Sequence, residues 1–370
     1  MQQLRFLQTM KHPENENKYK ALSVQKGIVQ PPIINPYSTR RVRKKEYSVS
    51  EYVENILKGD RVMLSQAVTL VESARYDHQQ KAQEIIEKCL PYAGKSIRVG
   101  LTGVPGAGKS TSIEAFGMHL IDSGKKLAVL AIDPSSERSK GSILGDKTRM
   151  ERLSAQENAF IRPSPTAGSL GGVARKSRET IVLCEAAGFD TLFIETVGVG
   201  QSEIAVHSMV DFFLLIQLTG GGDELQGIKR GIMEMADGII INKADGDNIE
   251  RAKLAQSQFR NALHLFPAHE SGWVPEVLTY SGQTGRGVNE VIDMIYRYMS
   301  FTKDNDYFNQ KRASQSKYWM YESINEQLRN RFYQNDKIQA LLEFKEKQVL
   351  NKEISPFAAA QFLLNTYYNK

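Results

Sequence analysis

The segment that most constrains the fold of this chain is a glycine-rich loop between an apolar run and a helical pattern. Residues 103–110 read Gly-Val-Pro-Gly-Ala-Gly-Lys-Ser, the spacing G-x-x-x-x-G-K-S. Residues 97–102 predict a buried strand before the loop, and a helical pattern begins at Thr111. In that setting backbone N–H groups converge on phosphate oxygens, and the helix directs its positive end toward the same anion. The motif therefore predicts a phosphate-binding loop, with a chance glycine turn as the disfavoured alternative.

Two side chains of this loop have predicted roles toward a bound nucleotide. Lys109 is expected to bridge the terminal phosphates, and the Ser110 hydroxyl is expected to ligate Mg²⁺. The predicted nucleotide contacts in the loop are Gly103, Pro105, Gly106, Ala107, Gly108, Lys109, Ser110 and Thr111.

Short apolar runs alternate with helical stretches through the middle of the chain. The runs lie at 97–102, 127–132, 192–195, 212–216, 239–241 and 277–280. Strand and helix in alternation predict a mostly parallel sheet covered by helices on both faces, with right-handed crossovers. We therefore expect an α/β fold with the sheet of a P-loop NTPase, in a domain that extends over residues 96–300.

The segments on either side of this domain have different patterns. Residues 1–45 are polar and basic, and we interpret them as a disordered extension. Residues 46–95 repeat apolar side chains every three to four positions, which predicts a helical N-terminal segment. Residues 301–370 predict a C-terminal arm of amphipathic helices, whose aromatic side chains are expected to serve packing, including packing between subunits.

Three acidic residues come after or at the ends of these apolar runs. Asp133 ends the second strand, Asp146 follows it, and Glu195 ends the third. A carboxylate at the carboxyl end of a neighbouring strand lies where nucleotide-bound Mg²⁺ should sit. The alternative for Asp133 and Asp146 is that each caps a helix. Glu195 is expected to reach the metal through water, and the N–H of Gly198 to sense the terminal phosphate.

A four-residue motif at the end of a later strand indicates the base. Residues 242–245 read Asn-Lys-Ala-Asp, and the Asp245 carboxylate can accept two hydrogen bonds from guanine that adenine does not offer. Asn242 is expected to buttress the loop or contact the base, and Lys243 to lay its stem across the ring. Ser281, Gly282 and Gln283 follow the last strand, where a backbone N–H can reach guanine O6. The motifs together predict GTP and GDP as ligands.

The residue that positions the attacking water is less evident. Many small GTPases carry a glutamine directly after the glycine that corresponds to Gly198. Val199 stands there in this chain, and Gln201 comes two positions later. We therefore expect slow intrinsic hydrolysis that a partner or a second subunit completes.

Charge and composition exclude several classes of protein. The net charge is +6, but residues 1–45 hold ten basic and two acidic residues, so a basic folded surface for nucleic acid is not indicated. No apolar run approaches the roughly 20 residues of a membrane helix. Cys89 and Cys184 are far apart, the N-terminus lacks the apolar core of a secretory signal, and we expect a cytoplasmic protein without a membrane partner.

The segments between the motifs resemble one family closely. They are Asp133–Ser136, Ser142–Met150, Ile161–Thr166, Gly168–Val173, Glu195–Glu203 and Gly221–Arg230. They resemble the methylmalonyl-CoA mutase-associated GTPases, the MeaB/ArgK (MMAA-like) family, over about residues 48–370. The resemblance implies a chaperone that uses GTP to protect an adenosylcobalamin-dependent acyl-CoA mutase, of the methylmalonyl-CoA mutase type, and to gate its cofactor loading. It also implies a homodimer built through the C-terminal helices.

The resemblance also assigns roles by position. It implies a phosphate and Mg²⁺ site of Lys109, Ser110, Asp133, Asp146 and Glu195, and guanine recognition by Asn242, Lys243 and Asp245. Segments 134–148 and 196–206 would act as switches. Segment 217–230 resembles an additional switch that transmits the nucleotide state to the mutase, and its polar residues are Asp223, Glu224, Gln226 and Lys229.

Three alternatives to the chaperone hypothesis belong to other functional classes. A metal-delivery GTPase needs clustered soft or imidazole ligands, whereas the six histidines are scattered and no Cys-x-x-Cys is present. A non-catalytic GTP-binding scaffold is disfavoured by the intact Lys109, Ser110 and Glu195. A kinase would need a second substrate pocket, for which the sequence shows no motif.

Overall fold

Seven parallel strands form the central sheet. This computed structural model describes residues 46–133, 150–165, 170–196, 202–219 and 230–368. The strands are β1 (Ile97–Gly103), β2 (Leu127–Asp133), β3 (Ala159–Pro165), β4 (Thr191–Thr196), β5 (Phe212–Gln217), β6 (Gly238–Ile241) and β7 (Glu276–Thr279). Their order is β3-β2-β4-β1-β5-β6-β7, and every neighbouring pair is parallel. The predicted α/β fold with a mostly parallel sheet is confirmed.

The sheet brings the ends of its central strands to one edge. β1 lies between β4 and β5, so the strand that leads into the glycine-rich loop has the Glu195 strand directly beside it. All six residues of β4 and all six of β5 are buried, which explains why these strands are continuous apolar runs. Because all strands run in one direction, the loops after them converge on the carboxyl edge of the sheet.

β3 is the strand that the apolar pattern does not predict. Its sequence, Ala-Phe-Ile-Arg-Pro-Ser-Pro, contains two prolines that cannot donate backbone hydrogen bonds. The strand lies at the edge of the sheet and pairs only with β2, which is the position where proline is tolerated.

Three helices form the N-terminal segment, as predicted. They are α1 (Val49–Leu57), α2 (Arg61–Glu72) and α3 (Tyr76–Cys89), followed by a short 3₁₀ turn at Leu90–Tyr92. Ser48 caps α1 by accepting from the Glu51 N–H at 3.2 Å, while its own N–H donates to the Glu51 carboxylate at 2.7 Å. The Asp60 carboxylate caps α2 through the N–H groups of Val62 and Met63.

Helices cover both faces of the sheet. They are α4 (Lys109–Asp122), α5 (Glu151–Ser154), α6 (Leu170–Ala186), α7 (Ser202–His207), α8 (Arg230–Glu234), α9 (Ile249–Leu263) and α10 (Val288–Asp304). Ile194 of β4 packs in a core with α1–α3 and α6, whereas its neighbour Phe193 packs in a second core with α4 and α10. Successive residues of a strand therefore serve opposite faces.

The C-terminal arm consists of three further helices: α11 (Tyr307–Tyr333), α12 (Asp336–Leu350) and α13 (Pro356–Tyr368). The predicted helical arm is thus confirmed. α11 spans 27 residues without burying any of them fully, and it is about 40 Å long at ~1.5 Å per residue. The arm exposes a set of large apolar side chains, including Tyr318, Met320, Tyr321, Ile324, Leu328, Tyr333, Phe344, Phe357, Phe362 and Leu364. Among the helices of the described ranges, none combines the length and the hydropathy that a membrane span requires.

Arg312 anchors the start of α11 to the amino ends of the central strands. Its guanidinium donates to both carboxylate oxygens of Asp211, at 2.8 and 2.7 Å, and to the backbone carbonyls of Gly94 and Ser96. Asp211 is only 2% exposed, and its carboxylate also accepts the Arg98 N–H at 2.8 Å. The arm is therefore fastened at the edge of the sheet opposite to the glycine-rich loop.

His207 lies near Lys311, the residue before Arg312, and against the ring of Phe213. Its ring centroid is 5.4 Å from that of Phe213, in an edge-on arrangement. Burial lowers the pKa of His207 to about 4; the nearby Lys311 and His269 also lower it, while Asp237 acts in the opposite direction. The imidazole is therefore neutral in the folded protein at neutral pH.

Candidate nucleotide-binding site at the carboxyl edge of the sheet

The glycine-rich loop connects β1 directly to α4. Gly103 ends β1 with φ of 155°, and a Cβ there would fall on the carbonyl oxygen of Ile216 in β5. Gly108 precedes α4 with φ of 88°, where a Cβ would meet the Asn242 amide nitrogen. The backbone thus fits closely between its neighbours, and the first N–H groups of α4 face the space above the sheet edge.

Lys109 folds back over the loop that it follows. Its Nζ donates to the carbonyl oxygens of Gly103 at 2.8 Å and Val104 at 3.3 Å. Burial lowers the pKa of Lys109, and the carboxylates of Glu195 and Glu203 oppose that shift. The lysine charge is therefore held over the loop by neutral carbonyls and lies within electrostatic range of two acids.

Glu195 occupies the position next to last in β4. In the sheet register it stands beside Leu101 of β1 and Ala131 of β2, and it is 9% exposed. The next residue, Thr196, donates its hydroxyl to the Thr102 hydroxyl at 3.0 Å. This bond ties β4 to β1 directly below the loop, so the acid and the phosphate-binding segment are fixed relative to each other.

Glu203 is a residue of this site to which the motifs assign no role. It lies in the first turn of α7, is 4% exposed and acts electrostatically on Lys109. The sequence shows only that it follows Gly200-Gln201-Ser202. From sequence alone, a charged residue in a short helix is ordinarily predicted to be exposed. Glu203 is buried because α7 packs against β4 and β1.

The donor set near Lys109 suits a hard divalent cation. Ser110 lies in the first turn of α4, and the Glu195 carboxylate stands at the adjacent strand end. Hydroxyl and carboxylate oxygens, with no sulfur or imidazole donor in the predicted set, fit Mg²⁺ rather than a softer metal. Asp133 ends β2, two register positions beyond the residue that pairs with Glu195. Within the described residues, no group of three His, Cys, Asp or Glu side chains forms a metal cluster.

Asn242 joins the phosphate loop to the base-recognition segments. Its side chain is buried, and its Nδ2 donates to the Ala107 carbonyl at 2.7 Å. Its Oδ1 accepts the N–H of Lys243 at 2.7 Å and the N–H of Gly282 at 3.1 Å. Of the two roles expected for Asn242, the geometry corresponds to buttressing, because both ends of the amide are engaged within the protein.

Asp245 stands where the two base-recognition segments meet. Its carboxylate accepts a hydrogen bond from the Ser281 hydroxyl, and the Ala244 N–H donates to the Tyr280 carbonyl at 3.0 Å. Lys243 is exposed in a left-handed backbone conformation with φ of 60°. The N–H groups of Ser281 and Gly282 already donate to Arg286 and Asn242. Two of the three amides expected near guanine O6 are therefore engaged within the protein, and the role of Gln283 stays a prediction.

Several predicted site residues lie outside the described residues. They are Asp146, Gly198, Asp223, Glu224, Gln226 and Lys229, together with the switch segment 134–148, residues 197–201 of the switch segment 196–206, and most of segment 217–230. Their assigned roles stay predictions, as do the nucleotide and metal roles of the residues that the structure brings together.

The sequence that forms this site matches a known protein family over most of its length. A family model described as methylmalonyl-CoA mutase-associated GTPase MeaB matches residues 64–337. The chain belongs to the MeaB family. It is therefore a GTPase, and the family resemblance inferred from the sequence is confirmed.

Individual relatives match over most of their length. The chain is 43% identical to GTPase ArgK of Escherichia coli over 328 residues, which covers 88% of this chain and 99% of the relative. It is 44% identical to the mouse mitochondrial methylmalonic aciduria type A homolog over 337 residues, covering 88% and 81%. The solved structure of an LAO/AO transport system kinase matches with a TM-score of 0.69 and 37% identity, covering 87% of this chain and 98% of that one.

Proposed function

We propose that this MeaB-family member binds GTP and GDP with Mg²⁺ at the carboxyl edge of the sheet and hydrolyses GTP slowly when alone. The observation that supports this most directly is the Asn242 side chain, which joins the phosphate loop, the Asn-Lys-Ala-Asp segment and the Ser-Gly-Gln segment through three hydrogen bonds. A single nucleotide can then contact all three segments at fixed spacing.

The residues around the loop explain how phosphate is received. Lys109 would exchange its two neutral carbonyl acceptors for phosphate oxygens, a gain because an ammonium group is attracted more strongly to an anionic acceptor than to a neutral one. The N–H groups of the first turn of α4 face the same anion. Asp245 accepts from the guanine edge, and adenine would leave this half-buried carboxylate without the two donors that guanine supplies.

The predicted magnesium ligands are Ser110, Asp133, Asp146 and Glu195. When bound, Mg²⁺ would neutralise the charge that develops on the phosphate oxygens. Glu195 is held rigidly for this purpose, since Thr196 bonds to Thr102 in the neighbouring strand.

The client that we propose is an adenosylcobalamin-dependent acyl-CoA mutase of the methylmalonyl-CoA mutase type. The family is described as associated with that enzyme, and the mouse relative bears the name of methylmalonic aciduria. We propose that the nucleotide state protects the mutase and gates the loading of its cofactor. Segment 217–230 would transmit the state to the client. The described association of the family with a mutase favours the chaperone hypothesis over the metal-delivery, scaffold and kinase alternatives.

We also propose that the protein acts as a cytoplasmic homodimer through its C-terminal arm. The support is an apolar surface on α11–α13 that no described part of the chain covers. It includes a cavity of about 380 Å³ lined by Leu328, Phe332, Leu342, Leu363 and Tyr367. A group of large exposed apolar side chains on one helical arm is typical of an interaction surface.

The decisive experiment measures GTP turnover of the full chain, alone and with methylmalonyl-CoA mutase added. We expect a slow basal rate, a rise of at least tenfold with the mutase, and no turnover of ATP. Lys109→Ala serves as the catalytic control, because it removes the phosphate-binding charge while leaving the base-recognition segments intact.

The outcomes separate the parts of the proposal. A basal rate of about 10 s⁻¹ or above would contradict slow intrinsic hydrolysis. An unchanged rate together with no complex in sedimentation would remove the mutase as client while leaving the GTPase intact. A chain that sediments as a monomer at all concentrations would refute the homodimer.

A further inference from the structure

A second cavity lies between the core and the arm, at the edge of the sheet opposite to the nucleotide site. It has a volume of about 350 Å³, within the usual range for small-molecule pockets. One wall is the stretch 178–185 of α6, and the other is the stretch 312–319 of α11. Both stretches contribute residues at three- and four-residue spacing, so one face of each helix borders the cavity.

Among the described residues, one of the three guanidinium groups at this cavity has no acid hydrogen-bonded to it. Arg98 donates to both oxygens of Glu185, at 2.8 and 2.9 Å, and Arg312 donates to both oxygens of Asp211. Within each of these two pairs, the positive and negative charges cancel. The third guanidinium is that of Arg178, for which the structure shows no hydrogen bond to any described residue.

Arg178 is held in place by apolar and aromatic contacts instead. Its guanidinium lies against the face of Trp319, and its Nε is buried without a hydrogen-bond partner. Burial lowers the pKa of Arg178 to about 9, opposed by Tyr318, Glu322, Glu179 and Glu326. Glu179 is paired with Arg175 at 3.0 Å, and the two α11 glutamates act on Arg178 without bonding to it. A half-buried guanidinium in this state would be stabilised by a singly charged anion that enters the cavity.

Apart from the charged residues, the lining is mostly apolar, with Gln315 and Ser316 as its polar side chains. Leu90, Ile181, Val182, Met209 and the ring of Trp319 supply the apolar surface. We infer that the cavity between α6 and α11 binds a small monocarboxylate with a short apolar tail, whose carboxylate pairs with Arg178 and whose tail lies against these side chains. A carboxylate matches the planar fork of arginine. A phosphate monoester would bring up to a second negative charge near Glu185, Glu322 and Glu326, which disfavours it.

This site is separate from the nucleotide site. Arg98 is the second residue of β1 and Gly103 is the last, so the two ends of the strand lie about 16 Å apart at ~3.3 Å per residue. Binding at the cavity therefore does not depend on the proposed nucleotide contacts. It would instead bridge the core to α11.

The test is a calorimetric titration of the full chain with hexanoate. We expect a single saturable event with a dissociation constant of about 0.1–1 mM, the range for a ligand of this size. Arg178→Met should weaken binding roughly tenfold or more, because it removes the charge and keeps the length of the side chain. Arg251→Met, the same substitution at an exposed position of α9, is the matched control and should bind hexanoate as the parent chain does.

Two further measurements fix the location and keep the test decisive if Arg178→Met does not fold. Ser316 is exposed at the rim of the cavity, and Ser316→Tyr should fill the cavity and abolish binding. Trp319 is one of two tryptophans, so hexanoate should change the fluorescence of the parent chain but not of Trp319→Phe.

The opposite results overturn the inference. Hexanol binding as tightly as hexanoate would show that the anion is not recognised, and tighter binding of hexyl phosphate would refute the carboxylate assignment. Saturable binding that Ser316→Tyr leaves unchanged would place the ligand elsewhere. The absence of saturable binding would refute the site.

Discussion

Replacing Asn242 with alanine removes the side chain that joins three segments of the nucleotide site. Three hydrogen bonds are lost: one to the Ala107 carbonyl at 2.7 Å and two from the N–H groups of Lys243 and Gly282 at 2.7 and 3.1 Å. Asn242 is 3% exposed, so water cannot readily take its place at these groups. At about 0.5–1.5 kcal/mol for each bond, the free energy of unfolding should fall by roughly 2–4 kcal/mol.

The same substitution should weaken nucleotide binding, because the phosphate loop and the guanine-recognition segments lose their fixed spacing. We expect the dissociation constant for GDP to rise roughly tenfold or more, at about 1.4 kcal/mol for each factor of ten. Urea denaturation measures the first quantity, and titration with a fluorescent GDP analogue measures the second.

Asn248→Ala provides a matched control in the same loop. Its Nδ2 donates to the Lys243 carbonyl at 2.7 Å and its Oδ1 accepts from the Thr219 hydroxyl at 2.8 Å. Neither bond is fully buried, so the loss of both should cost only about 1 kcal/mol. If Asn242→Ala costs no more than Asn248→Ala and leaves GDP affinity unchanged, then the buried amide does not organise the site.

Three further predictions concern specificity, stability and pH. Asp245→Asn should reverse the base preference, because xanthine carries a carbonyl where guanine carries its amino group; equal loss of GTP and XTP turnover would contradict this. Arg312→Met should lower the free energy of unfolding by about 3–5 kcal/mol, since Asp211 stays buried without its charge partner, while Arg297→Met in an exposed pair should cost less than about 1 kcal/mol; equal urea midpoints would refute it. The folded pKa of His207, about 4, lies below its unfolded value of about 6.5, so up to about 3 kcal/mol of stability should be lost as the pH falls through that window. His207→Gln should remove this part of the pH dependence of unfolding, and an unchanged profile would show that other groups cause it.

Local sequence predicts the parts of the fold that are marked by a continuous apolar run or by a motif of fixed spacing. Six of the seven strands can be predicted as apolar runs because both faces of the sheet are covered. The glycine-rich loop can be predicted because its glycines are needed where the backbone approaches Ile216 and Asn242 closely. β3 cannot be predicted in this way. Its residues Pro163 and Pro165 are tolerated because the strand lies at the edge of the sheet, and that position depends on the strand order of the whole sheet.

The parts of the site that sequence does not reveal depend on contacts between distant residues. The Asn242 motif is visible, but its bond to Ala107 crosses 135 positions, and no local pattern encodes that pairing. The burial of Glu203 is also not encoded locally, because it results from the packing of α7 against the sheet. The anchor between Arg312 and Asp211 spans 101 positions and is formed by two ordinary charged residues.

The contrast between β1 and α11 determines how the molecule exchanges its amide hydrogens. β1 has a strand on each side, so its amides are released only when the sheet itself comes apart. Within one chain α11 buries none of its 27 residues fully, so in the monomer its turns can open one at a time at little cost. Deuterium should therefore label most of α11 in the monomer well before the strand that carries the phosphate loop. The Arg312 end of the helix should be the last part of α11 to exchange, because it is fastened to the sheet.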